Sequence, residues 1–131
     1  MDPERVLIVD DDESLLYMMT SHLERQGYSV ESTPNPFQGL ELVKTKGPFA
    51  VLVTDLMMPG IDGFGLVEEL RLDPRTKNIP VVVVSAKDIT PEERKRLNGH
   101  IEAVYQKSSL PARKFVEQMV QVIEDDRKET N

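Results

Sequence analysis

Four short apolar runs set the rhythm of this chain, and each empties into polar residues at its far end. Val6-Leu7-Ile8-Val9 runs into Asp10-Asp11, and Val51-Leu52-Val53 into Thr54-Asp55. Val81-Val82-Val83-Val84 ends at Ser85-Ala86, and Val104-Tyr105 is followed closely by Lys107. These runs are continuous rather than alternating, which predicts strands of a parallel sheet covered on both faces. Tyr28 to Ser32 reads as a further short strand.

Between the strands the apolar spacing turns helical. Leu16, Met19 and Leu23, joined by Leu15, form a stripe that Gly27 should terminate. After Pro34-Asn35-Pro36, a helix with Phe37, Leu40 and Val43 on one face is expected to run to Gly47-Pro48. Leu66, Val67 and Leu70 define a third helix after the turn Pro59-Gly60-Ile61-Asp62-Gly63. Thr90-Pro91-Glu92-Glu93 is a capping box: Thr90 caps, Pro91 takes the first position and Glu93 reaches back. Phe115, Met119, Val122 and Ile123 mark the last helix, entered near Leu110-Pro111. The predicted order is therefore βα repeated five times, an α/β three-layer sandwich with a five-stranded, doubly wound parallel sheet.

At 131 residues the chain is expected to form one domain with a single core, residues 1–124, ahead of a charged tail, 125–131. The stretch from Glu124 to Asn131 reads as a frayed helix end rather than a linker. A net charge of −7 argues against a nucleic-acid surface, and 5% aromatic residues leave few platforms for stacking bases. Without cysteine there are neither disulfides nor thiolate metal ligands. The apolar runs are strand-length and no basic-then-apolar leader is read, so a soluble cytoplasmic protein with no membrane insertion is expected.

In open α/β sheets ligands bind beyond the carboxyl ends of the strands, where the strand order reverses. If the first and third strands are neighbours, Asp10, Asp11 and Asp55 meet there. Crowded carboxylates repel, and Mg²⁺ (or Mn²⁺) would relieve them: a hard cation that takes one or two carboxylates and bridges to phosphate oxygens. Asp55 is the candidate nucleophile, since a carboxylate can attack a phosphoryl group to give an aspartyl phosphate. The metal and Lys107 would neutralise the phosphoryl oxygens, and Ser85 could donate its hydroxyl to one of them. Asp12 and Glu13 read as helix-start residues favoured by the macrodipole. Asp10-Asp11-Asp12-Glu13-Ser14 also fits the loose Asp-x-Asp-x-Ser/Thr signature of haloacid-dehalogenase-type phosphatases, with Asp10 as nucleophile and Asp12 as acid/base. That scheme leaves Thr54-Asp55 and its Met-Met-Pro-Gly loop without a purpose.

The motifs Val-Leu-Ile-Val-Asp-Asp, Thr-Asp-Leu-Met-Met-Pro-Gly-Ile-Asp-Gly and Val-Val-Ser-Ala, with a lone lysine at the last strand end, closely resemble a receiver domain of two-component response regulators. The resemblance covers roughly residues 5 to 124. It implies the flavodoxin-like strand order 2-1-3-4-5. It further implies that Asp55 accepts phosphate from a sensor histidine kinase or a phosphotransfer protein, and that Asp10 and Asp11 hold Mg²⁺. Asp11 would be the more direct ligand, and Met57 would lend its backbone carbonyl. Ser85 would be the switch hydroxyl, Lys107 the phosphate-pairing lysine, and Pro59 and Gly63 would shape the loop behind the acceptor. The chain would work as a phosphorylation-controlled binding switch with a downstream protein target, catalysing at most its own phosphorylation and dephosphorylation; a homodimer is compatible with this.

Departures from the family pattern are equally specific. Ser108 stands where the family carries proline, which leaves the isomer of the Lys107–Ser108 bond open. Val104 stands where the family tends to place its aromatic switch, and Tyr105, one position on, should face the other side of the sheet. These departures keep a phosphorylation-independent interaction module as an alternative. Gln106-Lys107-Ser108 is similar to receivers attached to sensor kinases. Met57 and Lys87 occupy the positions that tune hydrolytic water, and an apolar Met57 should slow phosphoryl loss. His22 and His100 read as ordinary helix and loop residues, and Arg94-Lys95-Arg96 as a solvated helix face.

Overall fold

A computed structural model describes residues 4–56, 63–85, 89–97, 101, 103–106 and 112–130, with the backbone alone for 103, 106, 112, 113, 115 and 126–130. Five strands alternate with five helices. In chain order these are β1 (Arg5–Val9), α1 (Glu13–Arg25), β2 (Ser29–Thr33), α2 (Pro36–Lys46) and β3 (Val51–Asp55). There follow α3 (Gly63–Leu72), β4 (Val81–Ser85), α4 (Pro91–Leu97), β5 (Ala103–Gln106) and α5 (Ala112–Thr130). All strand pairs are parallel, and the sheet order is β2-β1-β3-β4-β5, as expected.

The apolar runs divide their side chains between two cores by strict alternation. Leu7, Val9, Leu52, Val81 and Val83 face α2, α3 and Leu97 of α4. Val6, Ile8, Val51, Val53, Val82 and Val84 face α1 and α5. Central strands β3 and β4 are buried along their whole length, whereas edge strand β2, Ser-Val-Glu-Ser-Thr, is mostly half-exposed. On the other edge, Val104 packs with the first core and Tyr105 with the second, so the two do face opposite sides.

Local signals place the helix ends. The Asp12 side chain caps α1 by accepting from the N–H of Leu15 at 3.2 Å. At the other end Gly27 adopts φ 96°, and the N–H groups of Gly27 and Tyr28 bond to the carbonyls of Glu24 and Leu23. That is a Schellman stop, and the positive φ suits glycine. Asn35 caps α2 through the N–H groups of Phe37 and Gln38, at 2.8 and 3.3 Å. The capping box of α4 is present in both directions, Thr90 N–H to Glu93 Oε1 at 3.0 Å and Glu93 N–H to Thr90 Oγ1 at 3.1 Å.

One expectation needs amendment. Phe37 was expected on the inward face of α2 but is 59% exposed. Pro36, Gly39 and Val43 are the buried residues of α2, with Leu40 partly buried beside them. The reason is close approach: a Cβ on Gly39 would lie 2.7 Å from Val9 Cγ2, so the helix rests on the sheet through its smallest residue. Phe37, one residue round from Pro36, is thereby turned outward. At the carboxyl end, α5 passes residue 124 without a break and continues to Thr130, seven residues beyond Ile123, the last of its described side chains in the second core.

The starting ends of the strands are tied down by backbone-directed bonds. Arg71 donates from Nη1 to the carbonyls of Lys77 and Ile79, both at 2.8 Å, and Thr76 donates to the Leu70 carbonyl at 2.7 Å. In the same loop the Arg75 guanidinium and its N–H hold the Asp73 carboxyl below its usual range. Arg5, at the start of β1, donates to the Lys46 carbonyl and lies 4.8 Å over the Phe49 ring.

Candidate functional site: an acidic cluster at the finishing ends of the strands

Register brings the two key carboxylates together. Val9 of β1 pairs with Thr54 of β3, so Asp10 and Asp55 are each the next residue along neighbouring strands. Asp10 is held there by the sheet itself: its N–H donates to the Thr33 carbonyl of β2 at 3.2 Å. Its Oδ1 accepts the N–H of Asp12 at 2.9 Å, a tight turn that starts α1 and carries Asp11 outward between them. One carboxylate oxygen from each of Asp10, Asp11 and Asp55 lies within 4.8 Å of the others. Asp10 and Asp55 are buried, at 2% and 4% exposure, while Asp11 is exposed.

Beyond the carboxylates stands a hydroxyl. Asp55 pairs with Val84, so Ser85, fully buried, is one residue further along β4. Ser85 in turn pairs with Gln106, the last residue of β5 and the one before Lys107. Strand register thus orders acid, acid, hydroxyl and the approach to the lysine across four adjacent strand ends. Lys107, Met57, Pro59, Lys87, His100 and Ser108 lie outside the described residues. His22 is half-buried on α1 and takes no part in the acidic group.

The Asp55 backbone is fixed from behind. The Thr54 hydroxyl donates to the Asp55 carbonyl at 3.0 Å. Gly63 donates its N–H to the Leu56 carbonyl at 3.0 Å, and a Cβ there would fall 2.3 Å from the Asp55 carbonyl oxygen. No side chain fits that gap. Glycine at 63 therefore lets α3 begin directly against the end of β3, which fixes where the Asp55 carboxylate can point.

Asp12 is occupied as the cap of α1, a structural use of the residue that the phosphatase scheme requires as acid/base. Sequence reasoning missed a cluster just beyond the site. Arg96 of α4, read as part of a solvated face, donates from Nε and Nη2 to Glu68 Oε1 of α3 at 3.1 and 2.5 Å. Its guanidinium carbon also lies 4.6 Å from the centre of the Phe64 ring. The only sequence signal was a cation on α4 and an acid on α3, too common to distinguish.

Fold and site together define a signalling class. The chain belongs to the response regulator receiver domain family, whose model matches residues 6–119. It is 39% identical over 84 residues to protein PilH of Pseudomonas aeruginosa, an alignment covering 64% of this chain and 69% of PilH. It is 37% identical over 82 residues to RpaA of Synechocystis sp., described as a DNA-binding dual master transcriptional regulator. That match covers 63% of this chain but only 34% of RpaA, so the chain corresponds to about a third of that protein. Among solved structures, a CheY-like receiver domain protein from Methanospirillum hungatei JF-1 superposes with a TM-score of 0.84 at 26% identity, covering 97% of this chain and 98% of that one.

Proposed function

We propose that this receiver domain is a Mg²⁺-dependent phospho-acceptor and that Asp55 carries the phosphoryl group. The observation that bears most weight is the convergence of Asp10, Asp11 and Asp55 within 4.8 Å, at strand ends that neighbour Ser85. The donor set suits the metal: three carboxylate oxygens, no nitrogen or sulfur, and one exposed side towards solvent. Asp10, Asp11 and Asp55 would hold it, joined by the Met57 carbonyl. When bound it would supply charge neutralisation to the phosphoryl oxygens.

The chain's own residues do the rest. An Asp55 carboxylate oxygen attacks the donor phosphorus in line; the new O–P bond forms as the bond from phosphorus to the donor breaks. With a phosphohistidine donor the imidazole nitrogen departs and takes up a proton; with acetyl phosphate, acetate departs. Ser85 donates its hydroxyl to one phosphoryl oxygen and Lys107 pairs with another. Burial of Asp55 limits the water that would hydrolyse the acyl phosphate, and an apolar residue at 57 would slow that loss further. No leaving group is turned over repeatedly, so the outcome is a switch rather than a stream of product.

The donor in the cell is a sensor histidine kinase or a phosphotransfer protein, and the phosphorylated form binds a downstream protein. The site of action in this reading is the cytoplasm; no helix among the described residues is long and apolar enough to cross a membrane. The test is intact mass after exposure to Mg²⁺ and acetyl phosphate, with Asp55→Asn in parallel. One phosphoryl group on the parent and none on the variant is expected. Uptake by neither, with Mg²⁺ bound, would replace this reading with a phosphorylation-independent interaction module. Multiple turnover of a phosphate ester would replace it with the phosphatase.

A further inference from the structure

Arg96 joins α4 to α3, the helix that begins against the end of β3. Phe64, one side of its grip, directly follows Gly63, the residue wedged against the Asp55 carbonyl. Glu68, the other side, lies one helical turn further along α3. Arg96 itself belongs to α4, the helix that follows Ser85 in the chain. The Phe64 ring is 4% exposed, so the guanidinium lies over a nearly buried aromatic face. The helix α4 buries little apolar surface. It is seven residues long, and Leu97 is its one buried residue. Its capping box and the Arg94 N–H to Thr90 carbonyl bond, at 2.9 Å, are internal to the helix and its cap.

We propose that Arg96 is a positioning residue: its stack on Phe64 and its fork onto Glu68 hold α4 against α3 in the unphosphorylated conformer, and phosphorylation must work against that grip. This rests on Asp55 being the acceptor. A phosphoryl group there draws Ser85 towards it, while Phe64 stays registered to Asp55 through Gly63. The start of the path to α4 therefore moves relative to the platform that Arg96 grips. Planar stacking and an ion pair are both short-ranged, so a small relative shift costs both. Coupling between two sites is reciprocal, so whatever phosphorylation does to the grip, loss of the grip does to the affinity for a phosphoryl group.

The experiment has two arms on the full chain. In the first, hydrogen exchange of α4 amides is compared without any phosphoryl ligand. Arg96→Ala should exchange about 5- to 30-fold faster in α4 than the parent, as expected for loss of one cation–π contact and one exposed ion pair. Amides of β1 and β3 should be unmoved, which also shows that the variant folds. In the second arm, the Mg²⁺-dependent affinity for beryllofluoride, a phosphoryl mimic, is measured. Arg96→Ala should bind it tighter by the same factor, Glu68→Gln by about 1.5- to 5-fold, and Arg96→Lys by an intermediate amount. Unchanged α4 exchange would overturn the grip, and faster exchange with unchanged or weaker beryllofluoride binding would overturn its coupling to the site. A parent that binds beryllofluoride no better than Asp55→Asn would instead overturn the acceptor reading, and the coupling with it.

Discussion

Two arginines in this protein lie over phenylalanines at nearly the same distance, Arg5 over Phe49 at 4.8 Å and Arg96 over Phe64 at 4.6 Å, yet they serve opposite ends of the sheet. Arg5 stands where β1 begins and ties strand, helix end and loop through the Lys46 carbonyl, with Glu31 of β2 at 3.6 Å. Its backbone and ring partners lie towards the starting ends of the strands, where backbone carbonyls are bonded by Arg71 and Thr76 as well. Arg96 grips side chains only, between a seven-residue helix and the helix that begins behind Asp55. Backbone-directed bonds leave a single arrangement; a side-chain grip between two helices admits a second. The same pair of residue types is thus a rivet at one end and a catch at the other. What differs is the elements it joins.

That contrast can be broken most directly at Gly63. Gly63→Ala places a methyl group 2.3 Å from a backbone oxygen, which no rotamer change relieves, and should cost about 3 kcal/mol. Urea unfolding would measure it, and phosphoryl uptake should fall because the end of β3 must shift. Gly39→Ala meets the branch of a valine side chain instead, at 2.7 Å, and should cost about 1–2 kcal/mol with uptake retained. Equal costs and equal losses of uptake would show that Gly63 has no special relation to the acceptor.

Smaller effects sharpen the comparison. Arg5→Ala should destabilise by about 1–2 kcal/mol, from a charged hydrogen bond and a cation–π contact, both partly exposed. Its affinity for beryllofluoride should match the parent's, in contrast to Arg96→Ala; a matching gain would dissolve the distinction between rivet and catch. Asp12→Ala removes the cap of α1 at a cost of about 1 kcal/mol. Mg²⁺ titration of that variant should be close to the parent's, because Asp12 is committed to the helix rather than to the cluster. A large loss of Mg²⁺ affinity would return Asp12 to the site.

The smallest effect concerns Tyr105, whose hydroxyl donates to Gln118 Oε1 at 3.0 Å on the far face of the sheet from Val104. Burial pushes its phenol above the usual value of 10.0. A raised folded pKa means that stability is intact below pH 10 and declines as the pH rises from there through the folded pKa. Tyrosinate absorbance in a Tyr17→Phe, Tyr28→Phe background should show that midpoint above pH 10, and beryllofluoride should not move it. A shift on ligand binding would make Tyr105 part of the switch after all.

Much of the candidate site's placement was legible because strand ends announce themselves. An unbroken apolar run followed by aspartate or serine places the polar residue at the rim of a parallel sheet, whatever the rest of the chain does. Asp10, Asp55 and Ser85 were readable on those grounds, as was the capping box at Thr90, since a cap is made by residues three apart. Phe37 was misplaced because helical periodicity gives a face but not its angle. That angle was decided by the approach of Gly39 to Val9, 30 residues away in the chain. Arg96 was misread for the same kind of reason: nothing on α4 reveals that Phe64 and Glu68 wait opposite.

The chain by itself therefore determined the alternation of elements, the two-faced burial of the strands and the residues at their finishing ends. Those follow from contacts within a few residues and from the period of the apolar pattern. The tertiary structure alone decided that Asp10 and Asp55 share a register, that Gly63 closes against the Asp55 backbone, and that Arg96 holds one helix to another. Each of these depends on which strands lie side by side and how closely the helices approach them. That is settled by packing among residues far apart in the sequence, where local pattern carries no information.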